Sequence, residues 1–283
     1  MKQRLSTAEW TAELNTDVCD EYNNAELTLE LRLGFRQINP AGNAASGTYH
    51  DYGDPTEPNR RIIRWTPGSW ATWTENLVSS AREYWHGHFW LVNNFPVHEY
   101  DIRGTRYRPN IWCRCDIRPV TIDPTVYGPW DVHYIIDVVR LDRTESWFGS
   151  HSRLWDSRDT EWVRKARDSR GRAIMQRAHV HEVGHLLGLG HVDEGTPHCP
   201  IGGNTNATAC YGVADSDMRN VMGNGMARTA NLANPWRRAI IQMTGRGDIN
   251  TLTDWQSKLQ RHYPRTVAEA AANRSITTRP HRS

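Results

Sequence analysis

Apolar and polar residues alternate with period two over 26–38 (ELTLELRLGFRQI), which predicts a half-buried strand closed by a loop at 40–47. Residues 61–65 predict a second, short strand. Pro67-Gly68-Ser69 then supplies a turn and an N-cap, and Trp70, Trp73, Leu77, Val78, Ala81 and Trp85 recur near helical spacing. An amphipathic helix over 70–86 follows, its tryptophan stripe belonging to the core. Three further strands are predicted at 89–93, 111–120 and 132–141, where β-branched and aromatic residues are bounded by Pro, Gly or Asn. Residues 152–172 are charged and Trp-punctuated and predict a surface connection with helical turns. Over 173–187, Ile174, Ala178, His181 and His185 fall at helical spacing, and Gly188 can adopt the left-handed turn that ends a helix. After an irregular stretch rich in Gly, Asn, Thr and Pro at 190–225, two closing helices are expected at 233–244 and 251–262. Residues 264–283 lack an apolar face and are expected to be a mobile tail.

Composition narrows the classes. The chain has 283 residues, 38% hydrophobic and 23% charged, enough for a buried core and unlike a disordered segment. Its 34 basic and 32 acidic residues give a net charge of +2, so no basic nucleic-acid module is indicated. No stretch reaches the roughly 18–20 apolar residues of a membrane span, and the first twenty or so residues lack the apolar run of a Sec signal. Neither a nucleic-acid nor a membrane partner is expected. Five cysteines leave at least one unpaired within the chain. The Gly- and Asn-rich spacing of Cys199 and Cys210 suits either a bridge or two free thiols, whereas Cys113 and Cys115 lie on one face of a strand, where a mutual bridge is awkward.

The segment 181–191 (HEVGHLLGLGH) carries the chemistry. His181 and His185, four apart on a helix, project from one face and can hold one ion between them. A chain break at Gly188 lets His191 approach the same point from the loop side. Three neutral imidazoles leave one corner of a tetrahedral zinc open to water, the arrangement of catalytic and not of closed structural sites. Glu182, offset around the helix, is placed to act as general base on that water without ligating the ion. For any single histidine an ordinary hydrogen-bonded role is the commoner explanation; five specified positions in one segment outweigh it.

The same segment matches H-E-x-x-H-x-x-G-x-x-H, and the chain resembles the metzincin clan of zinc endopeptidases. Asn220-Val221-Met222-Gly223 resembles the clan's Met-turn, which makes Met222, ahead of Met218 and Met226, the apolar floor beneath the imidazoles. The resemblance implies an α+β fold: a twisted mixed five-stranded sheet with a backing helix and the zinc helix, then an irregular C-terminal subdomain ending in helices. It implies an N-terminal extension at 1–59, a catalytic domain at 60–263 with its upper subdomain at 60–190 and lower at 191–263, and the tail at 264–283. In the clan, an edge strand pairs with extended substrate; the candidate here is 132–141, with Val132, His133, Tyr134, Ile135 and Ile136 as contact residues. Val192 after the third histidine and Asn224 two residues past Met222 depart from several clan families, and the pattern stays between pappalysin-like and matrixin-like. Matrixin-type Pro-Arg-Cys-Gly is absent.

The expectation is therefore a zinc metalloendopeptidase with one catalytic zinc ion, a protein or peptide substrate and a monomeric state; calcium binding is left open. It is expected to be soluble, either cytoplasmic or exported by a signal-independent route such as injection. The alternatives are a zinc-binding module without peptidase activity or a cell-wall peptide amidase, and, from a different class, a nucleic-acid or carbohydrate-binding protein drawing on the abundant Arg and Trp.

Overall fold

A computed structural model describes residues 1–51, 56, 58–93, 95–122, 131–145 and 153–277. The chain is α+β, with both parallel and antiparallel strand pairs. In chain order the elements are β1 (Lys2–Ser6), β2 (Thr11–Asn15), β3 (Ala25–Ile38), β4 (Ser46–Tyr49), β5 (Arg60–Ile63), α1 (Pro67–Trp85), β6 (Phe89–Asn93), β7 (Tyr100–Ile102), β8 (Thr105–Arg108) and β9 (Ile111–Thr121). They continue with β10 (Tyr134–Val139), β11 (Leu154–Asp156), β12 (Val163–Arg167), β13 (Ala173–Gln176), α2 (Ala178–Leu186), α3 (Asp215–Met218), α4 (Asn234–Thr244), β14 (Trp255–Lys258), β15 (Arg265–Thr266) and α5 (Val267–Thr277). Among the described residues no helix is long and apolar enough to cross a membrane. Two compact units result: Met1–Glu30 with Trp85–Asp116 and Thr229–Ser283, and Leu31–Tyr84 with Ile117–Arg228.

In the first unit the strands lie in the order β1-β2-β3-β9-β6-β14, β3 and β9 contributing the parts that fall within it. Period-two alternation sets which side chains go inward: Ala25, Leu27 and Leu29 of β3, Ile111, Cys113 and Cys115 of β9, and Phe89 and Leu91 of β6 are all buried. Each such aliphatic or aromatic side chain is worth about 1.5–3 kcal/mol. Helix α4 closes this face with Trp236, whose ring lies 5.7 Å from that of Phe89 and whose Nε1 donates to the Arg114 carbonyl at 2.8 Å. Cys113 and Cys115 are buried and not disulfide-bonded.

In the second unit the later part of β3 pairs in parallel with β10, and β10 with β11. The α1 tryptophan stripe packs as a core feature: Trp73 meets Phe35 edge-on at 5.4 Å and stacks on Trp70 at 5.3 Å. Ile62, Val139, Leu141 and Leu154 form a second apolar cluster. The hairpin β12–β13 leads directly into α2, which carries the histidine motif.

Several expectations change. Residues 173–176 continue no helix; they form β13, because pairing with β12 satisfies their backbone and turns Ile174 and Gln176 inward. At 251–262 a helix was expected, but Trp255 fills a buried site and Trp255–Lys258 pairs antiparallel with β6, whose edge is otherwise open. The tail expected at 264–283 contains β15 and α5. Thr266 and Glu269 form a reciprocal capping box, Glu269 accepting from the Thr266 N–H at 2.9 Å and Thr266 accepting from the Glu269 N–H at 3.2 Å, and Ala270 is buried. Residues 278–283 lie outside the described residues.

Candidate metal centre

The site lies within the second unit and is built from α2 and the loops after it. Helix α2 ends as the motif requires: Leu187 is its last right-handed residue, and Gly188 follows at φ 91°, a conformation that disfavours any residue with a Cβ. His181 and His185 share one helix face, and the reversal at Gly188 brings His191 back to them. The Nε2 atom of His185 lies 3.0 Å from that of His181 and 3.2 Å from that of His191. A tetrahedral ion with bonds of ~2.0–2.1 Å would separate its nitrogen ligands by about 3.3–3.4 Å. The donor set fits that geometry closely.

Tautomers decide what these short separations mean. The Nδ1 atoms of His181, His185 and His191 lie 2.7, 2.8 and 2.7 Å from the carbonyl oxygens of Val221, Leu189 and Thr205. A carbonyl only accepts, so each Nδ1 is the protonated nitrogen and each neutral imidazole turns a bare Nε2 lone pair toward the other two. No hydrogen bond can join three acceptors. Burial holds all three below the usual imidazole range: His181 far below, with His185 beside it adding to the effect, His185 at about 4, and His191 more modestly. They are neutral imidazoles whose Nδ1 atoms are fixed by backbone carbonyls, and the triad could hold a metal ion.

Glu182 is 7% exposed, and among the described residues its carboxylate has no hydrogen-bond partner. Burial pushes its pKa up to about 8, the Asp159 carboxylate adds to the shift, and Lys165 opposes it. Lys165 sits at the register shift between Arg164 and Ala166 in the β12–β13 hairpin. His179, the fourth histidine of this segment, is held apart from the ligands: Nδ1 donates to the Asp159 carbonyl at 2.8 Å and Nε2 lies 2.7 Å from Ser80 Oγ.

Met222 is buried in a turn whose backbone reaches both ends of the motif. Val221 accepts from His181, and Met222 accepts from the Val192 N–H at 3.1 Å. The Asn220 side chain accepts from the Met222 N–H at 2.8 Å, so the Asn is what shapes the turn. At Gly223 an added Cβ would collide with the Asp217 and Tyr211 carbonyl oxygens. Gln176, just before α2, donates its amide to the carbonyls of Val221, Gly223 and Gly225 at 3.0, 3.0 and 3.1 Å. Sequence reasoning passed over Gln176, and only its place two residues before the helix start marks it.

Tyr211 was also missed. Its ring packs on His191 at a centroid distance of 3.9 Å and on His181 at 5.9 Å, and burial with the Glu182 charge raises its pKa. It ends the 3₁₀ turn Thr208–Tyr211, directly after Cys210. Cys199 and Cys210 are bonded, which decides between the two states their spacing allowed. The closed loop contains Thr205, the partner of His191.

The expected substrate strand is paired to different extents along its length. Asp137–Val139 of β10 has β3 on one side and β11 on the other, so this part is interior and has no free edge for a peptide. Of the five contact residues, Val132 and His133 precede the strand, and His133 Nδ1 accepts from the Arg32 N–H at 2.9 Å. Tyr134, Ile135 and Ile136 pair with β3, and the Tyr134 hydroxyl donates to the Leu186 carbonyl at 3.0 Å, fixing the end of α2. Parallel pairing on both flanks, which strand composition does not encode, encloses the Asp137–Val139 part of the strand.

Comparison of the chain with protein-family models, curated proteins and solved structures returns no match.

Proposed function

We propose that this chain is a zinc-dependent endopeptidase of metzincin type, in which His181, His185 and His191 hold the ion and Glu182 serves as general base and then general acid. The observation that carries the reading is the meeting of three Nε2 lone pairs, each fixed by a carbonyl at Nδ1, beside a buried carboxylate that has no hydrogen-bond partner among the described residues. Three neutral nitrogen donors suit zinc better than magnesium or calcium, which take oxygen ligands. When bound, zinc supplies Lewis acidity, polarising a carbonyl and lowering the pKa of water to about 7.

The chain's own groups do the rest. Glu182 takes the proton of the attacking water as its oxygen adds to the peptide carbonyl carbon, then delivers that proton to the departing amine nitrogen. Its high pKa before the ion binds reflects a dry setting, which strengthens every electrostatic interaction made there. Tyr211 covers His191, and the turn at Met222 supports His181 through Val221. The substrate class is a protein or peptide chain.

The test is casein or gelatin hydrolysis by the wild type and by Glu182→Ala, at matched zinc content measured by mass spectrometry. Loss of about 10²–10⁴-fold in kcat with zinc retained is expected. Undiminished proteolysis in the variant overturns the mechanism; zinc binding without hydrolysis of any protein substrate by the wild type favours a binding module instead.

A further inference from the structure

The first unit holds a cavity of about 460 Å³, within the ~300–1,000 Å³ range of ligand pockets, and it involves none of the residues of the metal centre. Two indoles line it. Trp90 of β6 and Trp112 of β9 are directly opposite in the antiparallel register, and their planes are inclined by only 7° with centroids 6.3 Å apart. Cross-strand pairing fixes both rings on one face of the sheet. Trp112 is locked further: Nε1 donates to the Gly87 carbonyl at 3.0 Å, and Gly87, at φ 78°, leaves room for the ring where a Cβ would come within 3.2 Å. The Trp90 indole N–H, by contrast, has no acceptor among the described residues.

The polar wall of the cavity comes from Glu26, Asn23, Asn24 and Arg261. Asn24 is structural, its Oδ1 accepting from the Asn110 N–H at 3.0 Å. Glu26 accepts from Arg114 through Oε2, at 2.7 Å, and Oε1 has no hydrogen-bond partner among the described residues. The pair cancels one cation, so Arg261 is the remaining charge. That balance is too weakly positive for a phosphate backbone and does not favour a cationic ligand.

We infer that this cavity is a binding site for a neutral or carboxylated saccharide. The C–H face of a pyranose carries partial positive charge and lies flat on the negative face of an indole; the Arg114 guanidinium lies over the Trp112 ring at 5.2 Å, so Trp90 is the indole expected to take the sugar. Its hydroxyls both donate and accept, which matches the pairing of a free indole N–H with a carboxylate oxygen, a side-chain amide and a guanidinium. The site is a second function, independent of the peptidase reading, and would hold the chain on a glycan or glycosylated surface.

The experiment is isothermal titration of the full chain with short cello-, malto-, chito- and xylo-oligosaccharides, with oligo-dT and a proline-rich peptide as competing ligand classes. At least one saccharide is expected to bind with a Kd of about 1 mM or tighter, and Trp90→Ala is expected to weaken it at least about tenfold. Glu26→Gln should weaken it less, and Trp90→Phe should retain part of the affinity. Zinc content and circular dichroism of each variant should match the wild type, which separates a lost site from a lost fold. Absence of binding by every saccharide up to about 10 mM, binding insensitive to Trp90→Ala, or Trp90-dependent binding only of oligo-dT or the peptide would each overturn the inference.

Discussion

Three backbone carbonyls choose the tautomer of His181, His185 and His191, so the residues that matter most after these three are those that hold carbonyls and rings in place. Gln176 is one: its single amide serves three carbonyls of the turn at Met222, all buried away from water. Gln176→Leu should cost about 1–3 kcal/mol, the penalty of leaving buried acceptors unpaired, measured as a fall in Tm. Tyr211 acts instead through its ring. Tyr211→Phe keeps the surface that covers His191 and should leave zinc affinity within about threefold of wild type, whereas Tyr211→Leu should lower it by about tenfold, read by competition with a chromogenic chelator. An equal loss in both variants would move the role from the ring to the hydroxyl. The meeting of His181, His185 and His191 was legible in the sequence because a shared ion would force a fixed spacing of side chains. Tyr211 and Gln176 were not, since stacking and carbonyl bonding impose no spacing along the chain.

Among the elements, the ones read correctly are those whose own pattern decides them. Alternation over β3 and β9 and the tryptophan stripe of α1 each specify a buried face without reference to a partner. The misread ones, β13 and β14 together with β11 and β12 in the stretch 152–172 expected as a surface connection, are short, and their state is set by the strand they meet. Helix α5 had a signal in Thr266-Val267-Ala268-Glu269, a capping sequence whose weight was hidden by the polar residues after it. The loop from Cys199 to Cys210 is the element on which the metal centre most depends, for it contains the Thr205 carbonyl and ends next to Tyr211. Cys199→Ser with Cys210→Ser removes about 3 kcal/mol of loop-closure stabilisation. Zinc affinity should fall by about 10–100-fold, the cost of loosening the Thr205 carbonyl that holds His191. Treatment of the wild type with a dithiol should reproduce the fall and leave the double variant unchanged. If the variant binds zinc as tightly as the wild type, Thr205 is held without the bridge.

For the molecule as a whole, the buried titratable groups of the second unit make stability depend on pH and on metal together. His179, fully buried, has its pKa lowered to about 4 from the usual 6.5 by burial. Between those values the unfolded chain binds a proton that the folded chain refuses, so stability rises with pH through this window and is lost as pH falls through it. For His179 alone the change is about 3 kcal/mol, and His185, also at about 4 before any ion binds, acts in the same direction. Glu182 acts in the opposite sense. Its folded pKa of about 8 means that the folded chain keeps a proton the unfolded chain releases, and stability contributed by the neutral acid is lost as pH rises toward 8. Lys165, lowered to about 8 by burial, changes stability only above that range. Chelated protein should therefore melt highest near pH 6.5 and less well on either side. On the proposed reading zinc binds the neutral histidines, so adding it should raise Tm at neutral pH, with a gain that shrinks as pH falls and protons compete for the three Nε2 atoms. In chelated Glu182→Gln the decline from pH 6.5 to 8 should vanish while the acid limb stays. If thermal melts followed by circular dichroism show that the acid limb also vanishes, the buried histidines are not what couples this fold to protons.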